Sequence, residues 1–371
     1  RVIDRTLRPL FADGITNEVQ VINTVFSYDG ENDPDMIGLI GSAVALAVSE
    51  IPFNGPVAGA RVGYRKTDET FVFNPTNTER ETSDLDLIVS GTGETIVMVE
   101  AGANEVEEAV VIEAMTKAQE QFASMCSQIA DIAKAIGREK VDLVEPEAEE
   151  LTTLKTSIVK HLQKKHAKTL KEMVEKEGRL IPVEYKPFAE QVVAELKAAG
   201  EESELLTDQL VGSMVHDELK TVGRTMIIEE GVRPDGRKTD EIRPIWTEVD
   251  VFTRTHGSAM FKRGATQVVT ITTLGSPSLC QHIESIEGEE VRHYMHFYNM
   301  PPYASGEAGR FGFPKRREIG HGALAERALL PVVPSQIDFP YAIHVVSEVV
   351  SSNGSTSQAS VCGSTMSLMA A

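Results

Sequence analysis

The sequence predicts an α/β (α+β) protein in which two incomplete copies of one unit flank an all-helical segment. Three observations support this class. The chain has 371 residues, enough for two or three domains. Its first and third parts carry β-branched runs typical of strands, whereas the middle is dense in Lys, Glu, Leu and Ala. A strand–loop–helix pattern in the first part returns in the third, as an internal repeat would.

The first part, residues 1–128, mixes strand and helix patterns. The β-branched run Glu18–Phe26 predicts a strand, and the Ala- and Leu-rich run Met36–Val48 predicts a buried helix. Two short apolar runs, 85–89 and 95–99, surround a Gly-Thr-Gly turn and predict a strand–turn–strand unit. Residues 105–136 carry apolar side chains at helical spacing and predict a long helix.

The middle part, residues 129–230, predicts a small helical domain, most clearly over residues 137–228. Charges of both signs interleave with apolar residues at helical spacing. The acidic run Glu145–Glu150 predicts a helix start. The stretch Lys160–Lys171 is basic enough to contact RNA, but a solvated helix face is the favoured interpretation.

The third part, residues 231–371, opens with a turn at Asp235-Gly236. Strands are predicted for Thr247–Phe252, Thr266–Thr273 and Ile343–Val350, and a small-residue helix for Gln358–Ala371.

The repeat relates the first part to the third when Gly30 is aligned with Gly354. One pairing could be coincidence, but several pairings in the same order indicate duplication. The matched residues are Val21 with Val345, Val25 with Val349, Ser27 with Ser351, Gly41-Ser42 with Gly363-Ser364, Leu46 with Leu368, and Arg5, Leu7 and Pro9 with Arg327, Leu329 and Pro331.

Charge is distributed unevenly along the chain. The whole carries 36 Lys+Arg and 56 Asp+Glu, a net charge of −20, which at first argues against a polyanionic partner. Residues 1–128 hold 21 acidic and 8 basic side chains, a net −13, and residues 129–230 hold 21 and 15, a net −6. Residues 231–371 hold 14 and 13, a net −1, so an anion-binding surface is compatible with the third part.

Composition also bears on location. An 18-residue uncharged apolar run is missing from the sequence, so no transmembrane helix is predicted. The chain begins at Arg1 without a readable signal peptide. The cysteines Cys126, Cys280 and Cys362 lie far apart, with neither a disulfide framework nor metal-ligand spacing. A reducing, cytoplasmic location is therefore expected.

The strongest candidate site is the hydroxyl loop, residues 353–357 (Asn-Gly-Ser-Thr-Ser), between a predicted strand and a predicted helix. Unpaired N–H groups and the positive end of the helix dipole suit a phosphate there. An ordinary helix N-cap is the equally weighted alternative.

A second candidate is the basic patch, residues 310–321. Three arginines and a lysine against Glu318 give it a net +3, and guanidinium groups bind phosphate bidentately. A solvated basic loop is the alternative. Arg263, in a turn before a strand, and the upstream Arg1, Arg5 and Arg8 are further candidates for holding a nucleic-acid backbone. The pair His293 and His296 has helical metal-ligand spacing but lacks an evident third ligand, so a metal role is not favoured.

Several multi-residue motifs resemble those of the polynucleotide phosphorylase family, in the same order and across essentially the whole chain. They are RVIDRTLRPLF, NEVQVINTVFSYDGENDPD, IPFNGPVAGARVGY, RPDGRKTDEIRPI, THGSAMFKRGATQ, KRREIGHGALAER and SSNGSTSQASVCG. The resemblance implies two ribonuclease PH-like domains joined by an all-helical domain, here cut so that each ribonuclease PH-like copy is incomplete.

The resemblance also implies an activity. Members of the family form ring-shaped homotrimers, take single-stranded RNA and inorganic phosphate, degrade the RNA from its 3′ end to nucleoside diphosphates, and run the reverse polymerisation. They also join RNA-degradation assemblies. A catalytically silent RNA-binding ring subunit of an exosome-like assembly is the alternative. A stand-alone ribonuclease PH would have one core domain, which counts against it.

Matching motif by motif, the resemblance implies three groups of site residues. The phosphate-binding group is Ser355, Thr356 and Ser357, the catalytic group is Arg316, Arg317 and His321, and the RNA-binding group is Arg1, Arg5, Arg8 and Arg263. The family pattern in the first group is usually three serines, so Thr356 departs mildly and keeps the hydroxyl.

The resemblance implies Mg²⁺ as the cofactor of the full protein, with its aspartate ligands after residue 371. We expect no metal ligand within this chain. We also expect little or no catalysis by the isolated chain, because no Mg²⁺ would neutralise the charge that develops on the transferred phosphoryl group.

Overall fold

The computed structural model describes residues 1–143, 148–178, 185–201, 203–286, 288–310 and 312–371. They form two compact units. One, the α/β unit, combines Arg1–Val144 with Ile245–Ala371, and the other, the helical unit, is Glu145–Pro244.

The first part of the α/β unit is an antiparallel sheet with helices, whose strands lie in the order Thr70–Phe73, Ala58–Arg65, Leu85–Gly91 and Ile96–Ala103. The predicted helices at 36–48 and 105–136 and the strand–turn–strand unit are confirmed. In chain order the elements are α1 (Val2–Leu7), α2 (Pro34–Val48), β1 (Ala58–Arg65), β2 (Thr70–Phe73), α3 (Asn77–Arg80), β3 (Leu85–Gly91), β4 (Ile96–Ala103) and α4 (Glu108–Ile136).

Helix α4 covers this sheet with one apolar stripe. Ala114, Ala118, Phe122 and Cys126 recur every four residues and are buried. This spacing keeps them on one helical face, where they pack into the same core as the inward residues of β1 and β3.

A buried arginine ties the start of α2 to this sheet. Arg61 on β1 is 6% exposed. Its guanidinium donates to Asp33 at 2.9 Å, to Asp35 at 2.6 Å and to both oxygens of Asp86 at 3.0 and 2.9 Å. Arg80 donates to Asp33 and Asp86 as well. Two cations therefore offset three carboxylates that the α2 start and β3 bring together.

The strand predicted for Glu18–Phe26 is wrong. Residues 17–29 belong to no strand, and Ile22 and Phe26 are 74% and 94% exposed. A β-branched run becomes a strand only when neighbouring strands satisfy its backbone groups. Its repeat counterpart in the third part has such neighbours on both sides, and this segment has none among the described residues.

The helical unit confirms the helices predicted for the middle part. Its elements are α5 (Glu149–Lys165), α6 (Ala167–Glu177), α7 (Lys186–Ala198) and α8 (Asp208–Thr225). Leu154, Ile158 and Leu162 line the buried face of α5. Lys164 and Lys165 are exposed, as expected for a solvated helix face. Helix α5 starts at Glu149 within the acidic run, whose residues 145–147 lie outside the described residues.

The third part forms a mixed sheet whose strands lie in the order Tyr294–Asn299, Ala342–Ser351, Thr266–Gly275, Gly257–Arg263 and Ile245–Val249; the first two run parallel and the other pairs antiparallel. Gln281–Ser285 and Gly288–Arg292 form a separate hairpin. The elements are β5 (Ile245–Val249), β6 (Gly257–Arg263), β7 (Thr266–Gly275), β8 (Gln281–Ser285), β9 (Gly288–Arg292), β10 (Tyr294–Asn299), α9 (Arg316–Leu329), β11 (Ala342–Ser351) and α10 (Thr356–Ala370).

These elements confirm the strands predicted at 266–273 and 343–350 and the helix at 358–371. The strand predicted for Thr247–Phe252 is wrong in its extent, because β5 ends at Val249. The next residue, Asp250, has φ +55, and this left-handed conformation breaks the extended backbone.

A polar seam joins α10 to the mixed sheet. His296 on β10 is 5% exposed, and its Nε2 lies 3.1 Å from Ser347 Oγ and 2.9 Å from Ser364 Oγ. Thr270 and Ser347 share a further bond of 3.0 Å. His296 therefore holds α10 to the sheet. Because it lies on a strand, His293 and His296 do not have the helical spacing that a pair of metal ligands would need.

The structure preserves the repeat around Gly30 and Gly354, which both have φ +82. Each copy also has a helix followed directly by a 3₁₀ turn, at Arg8–Leu10 and Leu330–Val332. Leu7 and Leu329, matched by the alignment, are both buried.

Replacing Arg61 with Leu should lower the free energy of unfolding by about 3–5 kcal/mol, because the three carboxylates lose their buried cation. Urea denaturation monitored by circular dichroism measures this. The matched control is Arg65→Leu on the same strand, whose exposed pair with Asp68 should contribute less than about 1 kcal/mol. Equal losses of unfolding free energy in the two variants would show that the buried network stabilises the protein no more than the exposed ion pair does.

The stability of the α/β unit should fall as pH drops from about 6.5 to 4. Burial lowers the pKa of His296 from 6.5 to about 4. In this window the unfolded chain binds a proton that the folded protein does not, which costs up to about 3 kcal/mol. His296→Asn should lose less stability than the unchanged protein between pH 7 and pH 4.5 in urea denaturation. Exposed His282→Asn is the control, and identical losses in all three proteins would contradict the prediction.

Candidate functional site

The hydroxyl loop follows the end of β11, and its last two residues, Thr356 and Ser357, are the first two residues of α10. Ser355 has φ +46, a left-handed conformation that residues other than glycine rarely adopt. It occupies the N-cap position of α10, yet its side chain caps no backbone N–H. The ordinary N-cap bond is therefore not formed, and the hydroxyl of Ser355 is exposed beside the positive end of a 15-residue helix.

The loop is held in place through the backbone of Gly354. Its carbonyl accepts hydrogen bonds from Arg263 Nη2 at 2.9 Å and from Thr266 Oγ1 at 3.0 Å. The same Thr266 hydroxyl accepts from the N–H of Asn353 at 3.0 Å. The predicted site residue Arg263 therefore lies against the loop itself, where it fixes the loop backbone.

The three hydroxyls of the loop differ in environment. Ser355 is exposed, whereas Thr356 and Ser357 are 3% and 8% exposed. Thr356 Oγ1 lies 2.7 Å from the hydroxyl of Tyr298, and Ser357 Oγ donates to Gln358 Oε1 at 3.0 Å. Ser355 therefore offers the most accessible hydroxyl, and Thr356 connects the loop to β10.

Tyr298 links the hydroxyl loop to the basic patch. Its ring stacks on His321 at 5.1 Å between centroids, and His321 Nδ1 lies 2.6 Å from the carbonyl oxygen of Arg317. Burial raises the pKa of the Tyr298 hydroxyl, while the bond to Thr356 and the charge of Arg317 act in the opposite direction. The structure thus brings Thr356, His321 and Arg317 together around one aromatic ring.

Tyr298 was missed by the sequence reasoning. The available signal was its position in β10, where Tyr294, His296 and Tyr298 alternate and point to the buried side of the strand. Polar-tipped rings at inward positions indicate buried hydrogen-bond partners.

Arg316 and Arg317 are the first two residues of α9, and both are exposed. Cations are unfavourable at the positive end of a helix, so this placement does not serve the helix and favours a nearby anion. Glu318 stabilises the turn instead, because it accepts from the N–H groups of Lys315 at 2.7 Å and Met300 at 3.1 Å.

The N-terminal arginines divide into two groups. Arg1 donates to the carbonyl of Gly320 at 3.3 Å and contacts Glu100. Arg1 and Arg5 line a cavity of about 590 Å³ together with residues of α9 and α10. Arg8 instead pairs with Asp4 on its own helix and lies apart from this lining.

Arg327 is a second residue that the site predictions missed. It lines the same cavity as its repeat counterpart Arg5, and it pairs with Glu100. The signal was available in the alignment of Arg5 with Arg327. Gln358, the neighbour of Ser357, also lines the cavity, so the cavity reaches α10 next to the hydroxyl loop.

Metal-ligating side chains do not gather at the hydroxyl loop in the part of the chain that the structure describes. Across the described residues, one set of three is close enough to hold an ion, His161, His166 and Glu195 of the helical unit. In the same residues, no helix is both long and apolar enough to cross a membrane.

Known families match two stretches of the chain. A model of the 3′ exoribonuclease family, domain 1, matches residues 241–371, and domain 2 of the same family matches residues 55–121. The chain belongs to the 3′ exoribonuclease family. The α/β class with ribonuclease PH-type parts is confirmed, and domain 2 precedes domain 1 along the chain.

Curated relatives confirm the resemblance to polynucleotide phosphorylase. A polyribonucleotide nucleotidyltransferase of Caldicellulosiruptor bescii is 46% identical over 369 residues, which cover 100% of this chain and 51% of the relative. The protein of the same name from Finegoldia magna is 45% identical and covers 100% and 50%. The chain therefore spans about half the length of the curated relatives it matches.

One solved structure is described as the Archaeoglobus fulgidus exosome with RNA bound to the active site. The match covers 38% of this chain and 57% of the chain in that structure. Its TM-score is 0.32 and its identity 20%. This similarity is too low to support an argument.

Tyr298→Phe should loosen the hydroxyl loop, because Thr356 loses a buried partner at a cost of about 1 kcal/mol. Hydrogen exchange measured by mass spectrometry should show faster exchange in a peptide spanning residues 354–360, with the rest of α10 unchanged. The control is Tyr341→Phe, where the ring is exposed. Unaltered exchange in Tyr298→Phe would mean that this bond does not hold the loop.

Proposed function

We propose that the complete protein is a phosphate-dependent 3′-to-5′ exoribonuclease that releases nucleoside diphosphates from RNA and catalyses the reverse polymerisation. The observation that carries the proposal is the grouping of the hydroxyl loop with Arg317 and His321 around Tyr298. Membership of the 3′ exoribonuclease family supports it.

Inorganic phosphate is the nucleophile in this proposal. The exposed Ser355 hydroxyl and the first N–H groups of α10 hold it, and Arg316 and Arg317 balance its charge. A phosphate oxygen attacks the last phosphodiester in line, the bond to the 3′ oxygen of the preceding nucleotide breaks, and that oxygen takes up a proton. The terminal nucleotide leaves as a diphosphate, so no serine or threonine forms a covalent intermediate.

His321 has a defined orientation for this step. Its Nδ1 lies within hydrogen-bond distance of the Arg317 carbonyl oxygen, which can only accept, so Nδ1 carries the proton. Nε2 is then the acceptor in the neutral ring and a donor in the protonated ring. We propose that Nε2 contacts the phosphate or the departing 3′ oxygen.

The RNA strand is proposed to run past the cavity lined by Arg1 and Arg5. Arg8 can join them, because its exposed pair with Asp4 contributes little and exchanges readily for a phosphate. Arg263 contributes to the site by fixing the Gly354 carbonyl.

Phosphoryl transfer commonly uses Mg²⁺ to neutralise developing charge. The described residues around the hydroxyl loop do not fit a magnesium site, because Glu318 is engaged by two backbone N–H groups and no set of carboxylates gathers there. A Mg²⁺ ion is therefore proposed only for the complete protein, and the steps above are assigned to side chains alone.

Three further features belong to the proposal for the complete protein. They are a homotrimeric ring, association with RNA-degradation assemblies, and a cytoplasmic location, which the three free cysteines favour. The boundaries 1–128, 129–230 and 231–371 for two ribonuclease PH-like parts and a helical linker are likewise proposed.

Replacing both Arg316 and Arg317 with Ala in the complete protein should reduce phosphate-dependent diphosphate release by roughly 100-fold or more, since each charge-assisted contact contributes about 1.5–3 kcal/mol. Release is measured by chromatography of a 3′-labelled RNA incubated with phosphate. Arg65→Ala is the control, because this arginine pairs with Asp68 and lies in neither the loop nor the patch.

Three results would overturn the proposal. Unchanged turnover in the double variant would place the reaction elsewhere. Release of nucleoside monophosphates without phosphate would exclude phosphorolysis, and RNA binding without any release would favour the silent ring subunit.

A further inference from the structure

A compact cluster of two histidines and one glutamate lies in the helical unit, which the proposed reaction does not use. Glu195 Oε2 lies 3.1 Å from His161 Nε2 and 2.8 Å from His166 Nε2. The ligating atoms of the three side chains all lie within 4.8 Å of one another.

Three separate segments supply these side chains. His161 lies on α5, His166 at the junction where α5 ends and α6 begins, and Glu195 on α7. The cluster therefore depends on the packing of the bundle and is not a by-product of one helical face.

Neighbouring side chains fix the orientation of the cluster. The His166 ring is 8% exposed and packs edge-on against Phe188 at 5.2 Å between centroids. The second oxygen of Glu195 accepts from Gln191 Nε2 at 2.8 Å. An outer hydrogen bond of this kind orients a carboxylate whose other oxygen is a ligand.

We propose that His161, His166 and Glu195 bind a divalent transition metal, with zinc as the preferred ion. Two imidazole nitrogens and one carboxylate oxygen suit Zn²⁺, Co²⁺ and Ni²⁺, whereas Mg²⁺ prefers an all-oxygen set. Three protein ligands leave a fourth position for water.

The cluster needs a small rearrangement to hold the ion. Ligand atoms around a tetrahedral zinc lie about 3.4 Å apart, given metal–ligand bonds of about 2.1 Å. The contacts of His161 and His166 with Glu195, at 3.1 and 2.8 Å, need to lengthen to this distance, and the two ligand nitrogens, within 4.8 Å of each other, need to reach the same spacing. Both Nε2 atoms contact Oε2, which accepts only, so in the metal-free form both carry the ring proton. When the ion binds, each Nε2 gives up this proton and the neutral ring holds its proton on Nδ1.

Bound metal would connect the α5–α6 junction to α7 and stabilise the folded helical unit. The site is independent of the RNA reaction, so its test does not require activity. Because the ion binds the folded state preferentially, the unfolding midpoint of this unit should rise by roughly 10 °C at a zinc concentration about 100 times the Kd.

The experiment uses the whole chain, purified without a histidine tag and freed of metal by a chelator. Titration with Co²⁺ should give visible d–d absorption bands that saturate at one ion per chain. Zn²⁺ should displace the cobalt and raise the midpoint in differential scanning calorimetry, and Mg²⁺ should do neither.

His161→Gln and Glu195→Gln should each abolish the bands and the shift in midpoint. His216→Gln, a half-exposed histidine on α8 of the same unit, should retain both. Bands that persist in His161→Gln and Glu195→Gln, or no bands in the unchanged chain, would overturn the proposal and identify a hydrogen-bonded cluster only.

A measurement on the unchanged chain covers the case in which a variant fails to fold. Nitrogen-15 NMR of the imidazoles should show zinc-dependent shifts of two Nε2 resonances, assigned to His161 and His166. Shifts confined to other histidines would contradict the assignment.

Discussion

The carbonyl of Gly354 is the anchor on which the arrangement of the site depends. Arg263 and Thr266 stand at the two sides of the β6–β7 turn, and both donate to this oxygen. They set the point at which β11 ends and α10 begins. Thr356 then reaches Tyr298, whose ring orients His321 and, through it, the first turn of α9. A change at the β6–β7 turn would therefore move groups that lie on three other elements.

The sequence predicted correctly those helices and strands whose own residues carry a clear periodic pattern of apolar side chains. The alternation in 266–273 and the apolar spacing in 105–136 gave correct strands and helices because β7 and α4 bury one side or one stripe. Residues 18–26 are rich in β-branched side chains, as β11 is, but strand formation there depends on neighbours that local composition does not encode.

The sequence indicated the kind of ligand that the candidate site would bind, but not which side chains contact one another there. Hydroxyls before a helix and clustered arginines indicated anion binding, but Tyr298 acquires its role from a contact with Thr356, 58 residues away. The charge of Arg263 and Arg8 was visible in the sequence. The contact of Arg263 with the Gly354 carbonyl was not visible, because it joins residues 91 positions apart. The pair of Arg8 with Asp4, by contrast, follows from their i,i+4 spacing once α1 forms.

The two copies of the repeat treat the start of their helices differently. At the start of α2, Asp33 is the cap and accepts from the N–H of Asp35, and both carboxylates are balanced by Arg61. At the start of α10, Ser355 carries no charge and makes no cap. The first copy thus supplies its own anions at this position, whereas the second leaves room for one from outside.

The composition of the α/β unit from both ends of the chain has a consequence for folding during synthesis. The contact of Arg327 with Glu100 joins residues 227 positions apart, and that of Arg1 with Gly320 joins residues 319 apart. Contacts between residues so far apart form late. Closing the long loop between them costs conformational entropy before the contact contributes any favourable free energy. The helical unit, encoded between the two halves, can fold as it leaves the ribosome. The first half completes the α/β unit only after residues 245–371 have been made, so its contacts with that part form last.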